Sequence, residues 1–222
     1  MFRQIAAILF LVAGFAVFVS LGVWQLQRLQ WKEGVLAEIN TRIASAPVAL
    51  PAHPTKEHDP YLPVQISGQF EAAELFVLVS SRDFGPGFRL ISPFITEDGR
   101  RVMVDRGFIP TAERDRERSF GAADIIGNLH WPDERDRFTP ADDSEGNWWY
   151  ARDVAKMAAA LGTEPLLVIA KTKTDPDILP LPVTTEGIRN KHFEYAMTWF
   201  LFAATWVVMT GFALWRIRRR NS

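Results

Sequence analysis

Hydrophobic residues are concentrated at the two ends of the chain. One uncharged apolar run extends from Ile5 to Leu26, and a second extends from Tyr195 to Trp215. At about 1.5 Å per residue, a helix of about twenty residues crosses the roughly 30 Å hydrocarbon core of a bilayer. Both runs are therefore predicted to be transmembrane helices. The first continues past Trp24 without a small-residue cleavage site, which favours an uncleaved span over a signal peptide.

Basic residues beside the two runs predict their orientation. Four arginines follow Trp215, whereas Arg189 and Lys191 precede the second run. Because Lys and Arg are enriched on the cytoplasmic side of membranes, both termini are expected in the cytoplasm and the middle of the chain in the periplasm, at a bacterial inner membrane. The predicted order is a first transmembrane helix (1–27), a periplasmic domain (28–193), a second transmembrane helix (194–216) and a basic cytoplasmic tail (217–222).

Between the two runs, short stretches of β-branched and aromatic residues are separated by turn residues. Strands are predicted at PVQISGQF, ELFVLVSS, FRLISPFIT, RRVMVDRGFIP, AADIIGNLHW and PLLVIAK, and a short helix at VAKMAAALG with Asp153 as N-cap. An Asp-Gly pair between Glu97 and Arg100 predicts a hairpin. No βαβ alternation is visible. The predicted fold is a membrane protein with two transmembrane α-helices flanking one α+β extracytoplasmic domain, whose mainly antiparallel sheet can curl into a barrel.

Charge and composition exclude several functions for the middle segment. Its acidic residues outnumber its basic ones by 25 to 20, so nucleic acid is not an expected partner. The lipid bilayer is an expected partner because of the two apolar runs. The chain has no cysteine, which excludes disulfides, thiolate metal sites and thiol catalysis. It also lacks the G-x-S-x-G, H-E-x-x-H and phosphate-loop motifs, so the sequence offers no support for a hydrolytic enzyme.

His192 is the candidate for cofactor chemistry because it lies at the start of the second apolar run. Neutral imidazole is a good ligand for haem iron, and a macrocycle at the hydrocarbon boundary can keep its propionates in water. Tyr195, Ala196 and Trp199 follow at helical spacing and offer flat aromatic surface beside one small residue. The alternative is that His192 anchors the helix at the interface while the aromatic residues pack against the first span or lipid.

A basic residue at the end of the first apolar run has two interpretations. Trp24, Arg28 and Trp31 are spaced to share one face of a helix, which is typical of an interfacial aromatic belt with a snorkelling arginine. Alternatively, Arg28 or Lys32 pairs with the acidic groups of a ligand held at the outer face.

Other polar clusters are predicted to be structural. The acidic residues Asp142, Asp143 and Glu145 lack the spacing of a ligand loop, which favours a turn-forming loop over a cation or carboxylate-pair site. His53 and His58 lie in a proline-rich loop and are predicted to be solvated. His130 falls within a predicted strand, where it is expected in the core or on the sheet surface.

With these features together, the sequence resembles the Surfeit locus protein 1 family, assembly factors for haem-copper cytochrome c oxidase. The resemblance rests on LGVWQLQRLQWK, PVQISGQF, VDRGFIP, RFTPADDSEGNWWYARD and RNKHFEYAMTWF, which occur in this order through most of the chain. The family more often has tryptophan at Phe108, NDP at 141–143 and NNH at 190–192. The last departure leaves His192 in place.

The resemblance implies a non-enzymatic role in respiratory chain complex assembly: a membrane chaperone that binds haem a transiently and aids its insertion or stabilisation in the oxidase. His192 is then the expected metal ligand, Tyr195 and Trp199 would flank the porphyrin, and Arg28 would be an optional propionate partner. The catalytic subunit of the oxidase is the expected partner, with haem a synthase as a further one. Two alternatives are a haem-free clamp on a nascent oxidase subunit and a membrane-anchored hydrolase that uses the acidic loop.

Overall fold

A computed structural model describes residues 2–81 and 84–220 of the chain. These fall into two compact units, one formed by the residues up to Glu38 together with those from Thr185 onward, the other by Ile39–Thr184. The elements, in chain order, are α1 (Phe2–Ile43), β1 (Val48–Ala49), β2 (Pro63–Phe70), β3 (Leu75–Ser81), β4 (Gly85–Thr96), β5 (Arg101–Pro110), a 3₁₀ turn (Thr111–Glu113), β6 (Ala122–His130), β7 (Trp148–Trp149), α2 (Val154–Leu161), β8 (Leu167–Ala170) and α3 (His192–Arg220).

Five strands of the Ile39–Thr184 unit form a closed barrel. Around the ring the order is β2, β6, β8, β5 and β4, and the end of β4 pairs with the end of β2 to complete it. Four of the five pairings are antiparallel, and the pairing of β5 with β8 is parallel. The prediction of a mainly antiparallel sheet that curls into a barrel is confirmed.

The barrel closes where β4 crosses β2. Gly68 of β2 pairs with Thr96, and a Cβ atom at Gly68 would overlap the carbonyl oxygen of Ile95. The missing side chain therefore lets the two backbones approach closely enough to complete the ring. Inside the ring, buried side chains from all five strands form one core, including Val64, Phe94, Val104, Ile125 and Val168.

The outer face of the barrel is covered by α2. Met157, which is fully buried, packs with Met103, Leu167 and Ile169, residues that alternate with the inward-facing positions of β5 and β8. Helix α2 begins as predicted, since the Asp153 side chain accepts a hydrogen bond from the Lys156 amide at 3.2 Å. Because both of its faces are covered, β5 is buried along nearly its whole length.

The two long helices differ from the barrel in what they expose. Each contains a stretch long and apolar enough to cross a membrane, and only 6% of that stretch is buried. The core helix of a water-soluble domain would bury this surface, so the two candidate spans support a membrane protein. Helix α1 continues beyond its apolar stretch as far as Ile43.

Candidate functional site

Helices α1 and α3 pack against each other as an antiparallel pair. His192 at the start of α3 contacts Gln25, whereas further along α3 the indole Nε1 of Trp206 donates a 3.1 Å hydrogen bond to the carbonyl oxygen of Leu11. The less exposed residues of α3 follow one another mostly at spacings of three or four positions: His192, Ala196, Trp199, Phe200, Ala203, Trp206, Thr210 and Leu214. This spacing is the seam of a left-handed helix pair.

Two glycines of α1 allow the close approach of large aromatic side chains from α3. A Cβ atom at Gly22 would lie 2.6 Å from Cε1 of Phe200, and one at Gly14 would overlap the indole of Trp206. Phe18, one helical turn from each glycine, lies 6.1 Å from Trp199 and 5.9 Å from Trp206 between ring centroids. In the seam, aromatic side chains of α3 therefore pack against small residues of α1, and small residues are common at the interfaces of membrane helices.

His192 is held at one end of this seam by a hydrogen bond to α1. Its Nδ1 lies 2.8 Å from Oε1 of Gln25, and the ring is half-buried. With the amide oxygen of Gln25 facing the ring, this contact matches the tautomer that has its proton on Nδ1 and its lone pair on Nε2. Nε2 has no hydrogen-bond partner among the described residues. The contact therefore orients the ring and favours this tautomer.

Two basic side chains of α1 lie one and two turns beyond Gln25. Arg28 is exposed, and its guanidinium carbon lies 4.6 Å from the centre of the Trp31 ring. Lys32 donates a 2.5 Å hydrogen bond from Nζ to the carbonyl oxygen of Arg189, just before α3. The guanidinium edge of Arg28 is thus open to a ligand. The ammonium group of Lys32, which makes this one hydrogen bond, retains further donors.

The two aromatic residues predicted beside His192 have different surroundings. Tyr195 is 55% exposed. Trp199 is half-buried, with one contact to Phe18 at an interplanar angle of 24° and an edge contact to Phe202 at 5.8 Å. Ala196 is fully buried in the seam. Tyr195 therefore presents a free ring, while part of the Trp199 ring is already used in helix packing.

The donor set at His192 fits the axial ligation of haem iron. Histidines that bind metals usually donate their second ring N–H to an oxygen acceptor, which orients the ring and raises the basicity of the ligating nitrogen. Gln25 is in the acceptor's place, and Nε2 is left as the ligating atom. Sequence reasoning missed Gln25, because nothing in its local sequence indicates a contact with a residue 167 positions away.

The other polar residues singled out from the sequence have the following surroundings. Asp142 accepts hydrogen bonds from the Arg135 side chain and from the Tyr150 amide, and Asp143 caps a turn by accepting from the Gly146 amide. The described residues contain no group of three or more His, Asp or Glu side chains placed to hold a metal ion. His53 and His58 are exposed, and His130 is a half-buried residue at the end of β6, with its ring 5.2 Å from that of Tyr61.

Comparison with known proteins gives a consistent match over most of the chain. The model of the SURF1 family matches residues 12–204. A SURF1-like protein of Rickettsia felis is 33% identical over 225 residues, which cover 93% of this chain and 94% of the relative. Surfeit locus protein 1 of Homo sapiens is 32% identical over 84% of this chain and 70% of its own length, and that of Mus musculus is 31% identical over 84% and 69%. The chain therefore belongs to the SURF1 family.

Proposed function

We propose that this protein is a non-enzymatic assembly factor for haem-copper cytochrome c oxidase that holds haem a at His192 and passes it to the catalytic subunit. Membership of the SURF1 family and two candidate membrane spans support an assembly role at a membrane. The arginines at the end of α3 favour the bacterial inner membrane, with cytoplasmic termini and a periplasmic barrel. Haem a synthase is a further proposed partner, as the source of the haem.

The contact between His192 and Gln25 is the observation that carries the haem proposal. A histidine that served only as an interfacial anchor would have no need of a side chain that orients its ring. Here the 2.8 Å contact with Gln25 occupies Nδ1 and leaves Nε2 available for iron. When bound, the iron porphyrin supplies the redox-active and oxygen-binding centre of the oxidase.

Three further side chains are assigned roles around His192. The exposed ring of Tyr195 and the free part of the Trp199 ring would flank the porphyrin. Arg28 would pair with a propionate, because its open guanidinium edge can form a bidentate contact with a carboxylate. A half-buried single ligand with adaptable neighbours suits a carrier, which must both hold its cargo and release it.

The test is the visible absorption spectrum of the purified protein from cells that make haem a. We expect haem a bands in the wild type and in the control His53→Ala, whose histidine is exposed in a loop. In His192→Ala the bands should be lost or shifted, because the axial nitrogen is gone. Haem a bands that are unchanged in His192→Ala would exclude His192 as the ligand.

A haem-free clamp on a nascent oxidase subunit is the second candidate. It is favoured by the use of Trp199 and Trp206 in packing against α1, which leaves less aromatic surface for a porphyrin. In this case no preparation would contain haem, and the catalytic subunit would co-purify equally with the wild type and with His192→Ala. Loss of co-purification in His192→Ala would count against the clamp.

A further inference from the structure

A small polar cavity lies in the Ile39–Thr184 unit, on the outside of the barrel. Its volume is about 140 Å³. Three nitrogen-bearing side chains line it, and they come from separate parts of the chain: Arg89 from β4, His130 from the end of β6 and Arg152 from the segment before α2. The remaining wall is formed by Ile169, Pro182, Val183 and Thr184. The lining therefore contains no carboxylate.

Asp105 fixes the two arginines from behind the cavity wall. It is fully buried, and its Oδ2 lies 2.6 Å from Nη1 of Arg89 and 3.3 Å from Nη1 of Arg152. Its Oδ1 accepts a 3.1 Å hydrogen bond from the Gly107 amide. One carboxylate thus orients two guanidinium groups, and neither is free to swing away from the cavity.

The second carboxylate of this network does not face the cavity. Glu134 binds Nε and Nη2 of Arg152 and lines a separate neighbouring depression. Arg89 uses only Nη1, which also contacts the carbonyl oxygen of Leu181 at 3.3 Å. Its Nε and Nη2 have no hydrogen-bond partner among the described residues. The cavity therefore presents unused cationic donors, while the compensating anions lie behind or beside it.

The pKa of His130 reflects this electrostatic environment. The pKa of His130 is lowered to about 4, mainly by burial and also by the positive charges of Arg152 and Arg89. The negative charges of Glu134 and Asp105 act in the opposite direction. Tyr61 covers one face of the ring. At neutral pH the ring is uncharged beside two cations, so an anion in the cavity would favour its protonation.

We infer that this cavity is a binding site for a small oxyanion, the carboxylate or phosphate group of a small solute, held by Arg89 and His130 with Arg152 as a fixed cation. The volume of about 140 Å³ equals that of roughly four or five water molecules at about 30 Å³ each, which admits inorganic phosphate or acetate but not a porphyrin. The site is therefore distinct from the proposed haem position and does not depend on it.

The test is a histidine NMR titration of the full-length protein in lipid nanodiscs, with inorganic phosphate and acetate as separate probes and chloride at matched ionic strength as control. The protein has four histidines, so His130 can be assigned by substitution. We expect saturable shifts of the His130 signals with phosphate or acetate, a rise in its pKa by a unit or more, and no such change at His53, His58 or His192.

Variants of Arg89 decide the assignment. Arg89→Gln should weaken phosphate or acetate binding about tenfold or more, because a charge-assisted contact is removed. The matched control Arg116→Gln removes an exposed arginine that pairs with Glu113 and Asp177, and binding should be unchanged. If Arg89→Gln does not fold, Arg89→Lys keeps a cation beside Asp105 but loses the planar donor pair, and should still weaken binding several-fold.

Three results would overturn the inference. The first is that His130 does not respond to either probe, and the second is that chloride produces the same response. The third is that binding is of wild-type strength in the folded Arg89 variant. A response to phosphate alone would identify a phosphate group, and a response to acetate alone a carboxylate, as the chemistry the site takes.

Discussion

At the scale of single residues, the proposed haem site depends on one hydrogen bond between two helices. His192 is the first residue of α3, where no preceding turn of helix restrains its ring. Gln25 of α1 supplies that restraint across the seam. Gln25 is therefore a positioning residue, because it would act on haem only through His192. Its removal should change the affinity for haem and the basicity of the His192 ring, while His192 itself remains as the ligand.

Gln25→Leu should weaken haem binding by about 10- to 100-fold while keeping a histidine-ligated spectrum, because Nε2 remains but the ring loses its orientation. Gln25→Glu should retain binding and lower the midpoint potential of the bound haem, since a carboxylate acceptor makes the imidazole more basic. Optical titration and potentiometry of the purified variants measure both effects. The control is Gln27→Leu, an exposed position on the same helix. Wild-type affinity in Gln25→Leu would remove Gln25 from the site.

His130 predicts a specific dependence of barrel stability on pH. Its pKa is lowered to about 4 in the folded state from 6.5, so the unfolded chain binds more protons between these values. The associated stability is therefore complete above pH 6.5 and is lost as the pH falls towards 4. The ring is partly accessible to solvent, which reduces the expected loss to about 1–2 kcal/mol.

The measurement is the free energy of unfolding at pH 7 and pH 4.5 in buffers without phosphate or carboxylate. His130→Gln should show a smaller fall between the two pH values than the wild type, whereas His53→Gln, at an exposed position, should match the wild type. An equal fall in His130→Gln and the wild type would show that other groups control the acid sensitivity.

At the scale of elements, the pairing of α1 with α3 depends on the absence of side chains at two positions. Gly22→Ala should destabilise the pair by about 1–3 kcal/mol, because its Cβ would lie 2.6 Å from the Phe200 ring. Gly34→Ala is the matched control on the same helix. Nothing lies within 4 Å of a Cβ there, so the substitution should stabilise the helix by up to about 1 kcal/mol.

Thermal unfolding in nanodiscs distinguishes the two substitutions by the sign of the change in Tm. Adding Phe200→Leu to Gly22→Ala should restore part of the lost stability, since the smaller side chain relieves the overlap. A Gly22→Ala protein with the Tm of the wild type would mean that the helices separate without cost. The seam would then contribute little to the stability of the protein.

The elements of the barrel could largely be predicted from the sequence, because each strand carries its own local signal. The predicted strands correspond to β2 to β6 and β8, and the Asp-Gly pair lies in the turn between β4 and β5, with Gly99 at a φ of 82°. The two-residue strands β1 and β7 were not predicted, since two residues contain no periodicity. The barrel closure was only an expectation, because the pairing of β2 with β4 depends on register between distant segments.

The site could be predicted only in part, for a similar reason. His192 was singled out from its position at a hydrocarbon boundary, which can be read along the chain, and its role as a haem ligand stays a prediction. Gln25 could not be assigned because its role is a contact across 167 positions of sequence. Arg106 shows the same limit. Its position in β5 puts it on the same side of the strand as Val104, and it is fully buried. Its Nη1 lies 3.7 Å from Oε1 of Glu74 and its Nη2 lies 3.9 Å from Oδ2 of Asp175, two contacts that the sequence did not predict.

At the scale of the whole molecule, the barrel unit contains its own core. The three clusters of buried apolar residues consist only of residues between Leu50 and Val183. The last residues of α1 belong to the same unit, because the carbonyl oxygen of Ile43 accepts hydrogen bonds from Lys171 at 2.6 Å and from the buried Asn128 at 3.3 Å. The unit should therefore fold without the apolar parts of α1 and α3, provided that this helix end is kept.

A fragment of residues 39–184 is expected to be soluble and to unfold cooperatively. A fragment of residues 48–184 should have a Tm lower by several degrees, because the side chains of Asn128 and Lys171 lose the acceptor that Ile43 provides. Circular dichroism and thermal unfolding of the two fragments measure the difference. If both fragments unfold at the same temperature, the contacts at the end of α1 do not stabilise the barrel.

The place of β8 in the ring also determines when the barrel can form during synthesis. This strand is the last of the described strands, but it lies between β5 and β6. Without Leu167 to Ala170, the earlier strands can form only an open sheet with two unpaired edges, a state prone to aggregation. Helix α3 begins about 20 residues after β8, so nearly all of the chain that precedes the second candidate span is needed before the barrel can close. A premature stop codon before Leu167 would therefore remove more than the final helix, because it would leave the barrel unable to close.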